Sequence, residues 1–128
     1  VPILCGSESG FSLTPYGEWH YRELEVFVKE LGFSPLEAIS AATLQCGNHA
    51  GFGGETGSIA VGKLADFILV DGNPAADVTI LGDKSRIKSV YVGGELMNTE
   101  PLPPRKPISG WRTSQYSSSI LTKDKIDG

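Results

Sequence analysis

The side chains most able to do chemistry lie near the start of the chain, in VPILCGSESGFSLTPYGEWHYREL. A short apolar run ends at Cys5, and Gly6-Ser7-Glu8-Ser9-Gly10 follows as a small-sided turn with one carboxylate at its centre. A carboxylate flanked by serine and glycine meets no steric obstruction on its way to a metal ion or a water molecule. The same composition also describes an ordinary solvated turn acid, and the turn alone does not choose between them. Ser7 and Ser9 are potential nucleophiles, but the GxSxG pattern needs serine at its centre, where this chain has Glu8. His20 lies in the first turn of a predicted helix at the rim of this loop, and the only other histidine, His49, follows a second predicted helix. Neither belongs to an HxH, an HExxH or an i, i+4 pair, so the chain has no histidine-based metal site of its own. Phe11, Tyr16 and Trp19 make the loop aromatic, which suits an apolar substrate pocket and suits loop packing equally. Phe11, Tyr16 and His20 are the candidates for substrate contact.

The elements that must position these residues can be read from the pattern. Val1 to Cys5 is continuously apolar, as in a strand of a parallel sheet covered on both faces. A Gly-, Ser- and Pro-containing loop leads to a helix expected from about Glu18 to Leu31. Leu24, Phe27, Val28 and Leu31 form its apolar stripe, and Glu23, Glu25, Lys29 and Glu30 form its polar faces. Gly32 is a terminator. Ser34-Pro35-Leu36-Glu37 reads as a capping box with proline at N1, opening a helix through SPLEAISAATLQCG. Its Ala38, Ala41 and Ala42 allow a neighbour to approach closely, and GFGGETG breaks it.

From Gly57 the pattern changes to short β-elements. A turn is expected at Val61-Gly62-Lys63 and a compact strand over Phe67 to Val70, closed by Asp71-Gly72-Asn73-Pro74. A short helical or looped piece precedes a strand over Ile87 to Val92, and Gly93-Gly94 turns it into Glu95-Leu96-Met97. Beyond Asn98 the chain is rich in proline and serine and is expected to be extended or poorly ordered. No internal repeat is visible. Gly53-Gly54 and Gly93-Gly94 are turn glycines, since neither a GxxxxGK[ST] nor a GxGxxG is present.

The 128 residues give a formal net charge of −4 with no local cluster of lysine and arginine, so no electrostatic footprint for nucleic acid exists. Apolar runs of four to six residues fall far short of a membrane span, and the opening residues lack the basic region of a signal peptide. Cys5 and Cys46 have no disulfide-framework spacing and are read as two free, buried thiols in a reducing, cytoplasmic setting. A lone parallel strand has no partner within this chain, so the fold is expected to be incomplete by itself.

Taken in order, G-[ST]-[DE]-S-G, TPYGEWH-x-REL, SPLEAI-x-AAT, G-x-I-x-x-GKLADFILVDGNP and V-x-V-GGEL resemble the C-terminal end of amidohydrolase superfamily enzymes. The resemblance is strongest to the imidazolonepropionase/prolidase-like branch and covers about residues 1 to 98. It implies an α/β fold: the last strand and helices of a (β/α)8 TIM-type barrel over 1–52, a contribution to a small β-sandwich over 53–98, and a tail over 99–128. In such enzymes one or two divalent metals, commonly zinc, sit at the C-terminal ends of the barrel strands. Their ligands are an HxH on the first strand, often a carboxylated lysine, two later histidines, and an aspartate ending the eighth strand that also takes a proton from metal-bound water. Val1 to Cys5 would be the eighth strand, and Glu8 would stand at the aspartate position as metal ligand and catalytic acid-base residue. Two departures follow. The remaining ligands would lie in the roughly 300 residues that precede this segment in a usual member. Glutamate is also one methylene longer than aspartate, a reach of about 1.5 Å that disturbs a near-attack geometry.

The implied function is hydrolysis of a C–N bond of amide, urea, carbamate or dipeptide type. The implied partners are a small-molecule substrate and the remainder of the barrel, with no nucleic acid or membrane; self-association is left open. The alternative is a non-catalytic fragment or subunit that completes another chain's barrel, or an inactive relative. The isolated chain is expected to have no hydrolase activity, because one carboxylate does not hold a catalytic divalent ion. A free-standing β-rich binding module fits worst, since the strand–helix–helix start would serve no purpose in it.

Overall fold

The computed structural model describes residues 2–10, 14, 17 and 19–100. Residues 2–8 carry neither helix nor ladder. A parallel strand draws its hydrogen bonds from neighbours on both sides, and among the described residues no strand lies beside this segment. The apolar run expected as a strand is thus present as a strand-like sequence without a sheet.

The first helix, α1 (His20–Lys29), is shorter than its apolar period suggests. Its N-cap, Trp19, supplies no side-chain cap. At the other end Gly32 takes φ +75°, and the chain reverses so that Phe33 N donates to Phe27 O at 2.9 Å. Leu31, expected on the stripe, therefore falls after the helix and is 52 % exposed. Tyr21, Leu24 and Phe27 carry the buried face. Glu25, expected on a polar face, is buried as well. It is tolerated because Arg22 reaches its carboxylate at 2.8 Å and Lys29 at 3.7 Å, which keeps the buried charge paired.

The capping box forms as the sequence predicts. Ser34 Oγ accepts from Glu37 N at 3.3 Å, and Ser34 N donates to Glu37 Oε2 at 2.8 Å. It opens α2 (Pro35–Ser40), but the helix does not continue evenly. Ala41–Gln45 form a π-helical turn before α3 (Cys46–His49) closes the run. Two side chains bond main-chain carbonyls here: Thr43 Oγ1 donates to Ile39 O at 2.7 Å, and Cys46 Sγ donates to Ala41 O at 3.0 Å. Such local bonds loosen the regular i→i−4 ladder and accompany the widened turn. Leu24, Phe27, Ala38, Ala41 and Val78 make the core, with Cys5, Val28, Phe33, Ile39, Ala42 and Leu81 around it. Phe27 and Phe33 pack with ring centroids 5.2 Å apart.

Val78 belongs to a 3-10 turn, Val78–Gly82, that lies against α1, where Gly82 leaves room for the ring of Tyr21. The β-elements form a three-stranded antiparallel sheet in the order β1 (Phe67–Val70), β2 (Ile87–Val92), β3 (Glu95–Leu96). Phe67 faces Tyr91 and the two rings stack at 4.7 Å, while the register slips between Leu69 and Val70. The GKLAD segment ties these parts together. Lys63 Nζ donates to Gly53 O at 2.6 Å, Ser58 Oγ at 2.8 Å and Thr56 O at 3.2 Å, closing the loop after α3. Asp66 accepts from Thr56 Oγ1 at 2.8 Å and from Gly93 N at 2.7 Å, joining that loop to the β2–β3 turn. Both bonds lower the Asp66 carboxyl below its ordinary value, the Gly93 amide most.

Candidate functional site

Residues 5–10 leave the core at Cys5 and turn sharply at Glu8. Glu8 is exposed and sits at φ +46°, the only non-glycine among the described residues in the left-handed region. Side chains with a Cβ resist that conformation, and it persists where surrounding structure dictates it. Here the hydroxyls of Ser7 and Ser9 meet at 2.8 Å across Glu8. Thr14 Oγ1 donates to Glu8 O at 3.2 Å, and Gly10 N donates to Thr14 O at 2.8 Å, closing the turn from the other side. His20, the first residue of α1, brings Nδ1 to 3.1 Å from Ser7 Oγ.

The structure thus sets His20 against Ser7, the residue before Glu8, at the rim of the turn. The other two candidates for substrate contact, Phe11 and Tyr16, lie outside the described residues. His49 ends α3 and is exposed. A serine hydroxyl at hydrogen-bonding distance from an imidazole is the first half of an activated nucleophile. Among the described residues no carboxylate orients the other ring nitrogen of His20, so the pair reads as a structural link. No group of three or more histidine, cysteine, aspartate or glutamate side chains converges among the described residues. Glu8 is thus an exposed acid that no second carboxylate, histidine or cysteine pair joins among the described residues.

Behind the turn, Cys5 and Cys46 are free as expected, but half-buried rather than buried. Cys46 Sγ lies 3.4 Å from Cys5 O, linking the segment to α3. Burial foremost, then the negative charge of Glu23 and the neighbouring Cys46, pushes the Cys5 thiol up to about 11. It is a structural thiol rather than a nucleophile. Sequence reasoning set His20 at the rim of the Glu8 loop but missed the Ser7–His20 bond. The available signal was two serines bracketing the acid and one histidine at the first turn of the following helix. An open groove of about 380 Å³ runs between residues 2–3 and the helices, lined in part by Pro2, Ile3, Phe33 and Ala41. Glu8 and His20 do not line it. Among the described residues no helix is long and apolar enough to cross a membrane.

Comparison with known proteins gives this turn its context. Residues 6–97 match the model of the amidohydrolase family. Over 61 residues the chain is 43 % identical to the imidazolonepropionase of Syntrophobacter fumaroxidans, covering 48 % of this chain and 14 % of that protein. Over 86 residues it is 34 % identical to the ochratoxinase of Aspergillus niger, covering 64 % of this chain and 17 % of the relative. The crystal structure of a candidate prolidase from Bifidobacterium longum superposes with a TM-score of 0.70 at 36 % identity, over 83 % of this chain and 25 % of that one. The A. niger ochratoxinase structure superposes with a TM-score of 0.59 at 32 % identity, over 65 % and 19 % respectively. The chain thus spans between a seventh and a quarter of the length of these relatives. With the family match running from the Glu8 turn through the sheet, the chain belongs to the amidohydrolase family.

Proposed function

We propose that this chain forms the C-terminal part of a metal-dependent amidohydrolase that hydrolyses C–N bonds of amide, urea, carbamate or dipeptide type, with Glu8 as a metal-facing carboxylate. The observation that carries the reading is the turn itself. The family match begins at Gly6, two residues before Glu8, the one side-chain-bearing residue at positive φ among the described residues, and Glu8 is an exposed acid. The relatives' names, imidazolonepropionase, ochratoxinase and prolidase, fit a hydrolase of small molecules. The exposed Ile3, Leu36, Ile68 and Leu69 fit surfaces that the rest of such a protein would cover. Residues 1–5 would then be the last barrel strand, and residues 53–98 part of a small β-sandwich.

The divalent metal, zinc by expectation, would be held by Glu8 together with residues outside these 128. When bound, such an ion polarises a carbonyl and supplies hydroxide near neutral pH. Glu8, Phe11, Tyr16 and His20 would line the substrate side. The alternative is a non-catalytic segment that completes another chain's barrel. Metal content of the assembled protein, with and without Glu8, separates the two. Under the catalytic reading, Glu8→Ala lowers metal affinity by about 10-fold or more while Glu8→Asp retains it. Metal bound equally well by Glu8→Ala sinks the assignment. The 128-residue chain alone is expected to show no hydrolase activity.

A further inference from the structure

We propose that His20 is a positioning residue that fixes the Glu8 turn to α1 through the Ser7 hydroxyl; its value for a metal site rests on the reading of Glu8 given above. Glu8 holds a backbone conformation that glycine adopts freely and a side-chain-bearing residue resists. Glycines stand nearby at positions 6 and 10, yet the acid itself takes the strained position. Something must therefore over-determine the turn. Three of its bonds are local: Ser7 Oγ to Ser9 Oγ at 2.8 Å, Thr14 Oγ1 to Glu8 O at 3.2 Å, and Gly10 N to Thr14 O at 2.8 Å. Such bonds shape a turn without placing it. Among the described residues, the 3.1 Å contact between Ser7 Oγ and His20 Nδ1 is the bond of this turn that leaves the loop, spanning 13 residues to reach a helix.

That helix is a firm platform. Leu24 and Phe27 of α1 are core residues packed with Ala38, Ala41 and Val78. Supporting bonds from rigid elements are what hold a functional side chain to within a fraction of an ångström of its working geometry. The hydroxyl chain Ser9–Ser7–His20 can also run in either direction. Ser7 either donates to an unprotonated Nδ1 or accepts from Nδ1–H and donates to Ser9. The brace therefore requires a polar atom at the δ position and not a particular tautomer. Asparagine at position 20 offers such an atom, and alanine does not.

The test is solution NMR of the full 128-residue chain without metal. It reads the backbone φ of Glu8 from scalar couplings and the exchange of the Ser9 and Gly10 amides. In His20→Ala and in Ser7→Ala, Glu8 leaves the left-handed region for a substantial part of the time and amide exchange rises about fivefold, the worth of one hydrogen bond. The double variant is no worse than either single one, because both remove the same link. His20→Asn restores the wild-type values, whereas a merely structural loss of the imidazole ring would leave it as impaired as alanine. Leu24 and Phe27 amide exchange reports whether α1 is intact, and Ser7→Ala, outside the helix, decides if His20→Ala loosens it. Unchanged φ and exchange in both alanine variants overturns the proposal, as does a His20→Asn protein that behaves like His20→Ala. Because no metal is present, this result stands apart from the metal measurement on the assembled protein, and either can fail alone.

Discussion

Two glycines of one motif, Gly57 and Gly62 of GSIAVGKLAD, make a controlled experiment on what holds the second half of the chain against the first. Both lie in the left-handed region, at φ +84° and +87°. Replacing either by alanine puts a Cβ where the backbone disfavours it, at about 1–2 kcal/mol. The loss of unfolded-chain entropy is also the same for both, so these contributions cancel in the comparison. The surroundings differ. A Cβ at Gly62 meets open space, whereas one at Gly57 falls 2.9 Å from Thr43 O, 3.1 Å from Leu44 Cα and 3.2 Å from the Thr43 carbonyl carbon. Ordinary contact between nonbonded carbon atoms is about 3.5–4.0 Å. All three atoms belong to the main chain of the π-helical turn, so no rotamer change relieves them, and the loop or the helix must move.

Overpacking of this kind costs about 1–3 kcal/mol. Gly62→Ala is therefore expected to destabilise by about 1–2 kcal/mol, from strain alone. Gly57→Ala is expected to lose about 2–5 kcal/mol, the sum of strain and overpacking. Urea unfolding of the full chain, followed by far-UV circular dichroism, gives both numbers with the wild type as reference. Amide exchange at Leu64, whose N–H bonds Glu55 O at 2.8 Å, gives a local check on the same loop. Losses that agree within about 0.5 kcal/mol, the ordinary error of additivity, would refute the close backbone approach at Gly57.

Two further outcomes follow from titrating groups. Glu37 is held below its ordinary 4.5, first by the Ser34 hydroxyl and then by the Ser34 amide. Its contribution to the α2 cap is therefore complete above 4.5 and fades as pH falls through the lowered folded value. NMR titration should show Glu37 ionising below 4.5 and Ser34→Ala returning it towards that value; a wild-type midpoint at or above it would contradict the capping box. Cys5, raised from 9.0 to about 11, has its neutral form favoured by the fold, a contribution present below 9.0 and lost as pH rises through 11. At pH 8 iodoacetamide should label Cys5 about 100-fold more slowly in the folded chain than in urea, by mass spectrometry, since each pKa unit is a tenfold change in thiolate. Comparable rates would mean the thiol is not shielded by the helices.

Much of the molecule was legible in its residues because the determinants are local. Ser34-Pro35-Leu36-Glu37 contains every atom of its capping box, so α2 begins where the sequence places it. Phe67 to Val70 and Ile87 to Val92 are bounded by turn residues and appear as strands over those same ranges. The order of motifs pointed to the amidohydrolase family, and residues 6–97 match it. His20 was legible at the rim of the Glu8 loop because it lies in the first turn of the helix that follows, and its ring meets Ser7 there.

Other features depended on contacts that no sequence window contains. Glu25 reads as a surface acid by helical period and is buried, because Arg22 and Lys29 fold over it. The run SPLEAISAATLQCG reads as one α-helix and takes a π-helical turn, against which Gly57 closes from the following loop. Lys63, read only as part of a turn, and Asp66 are the ties that join loop to sheet. Residues 2–5 have strand character, but a strand is completed by hydrogen bonds to neighbours, and none stands beside them among the described residues. The sequence by itself determined local conformation, family and the presence of an acid in a small-sided turn, since these depend on interactions a few residues long. Only the tertiary structure decided that this acid stands in a left-handed conformation, bracketed by two serine hydroxyls and tied to a helix, because that arrangement exists only once distant segments share a core.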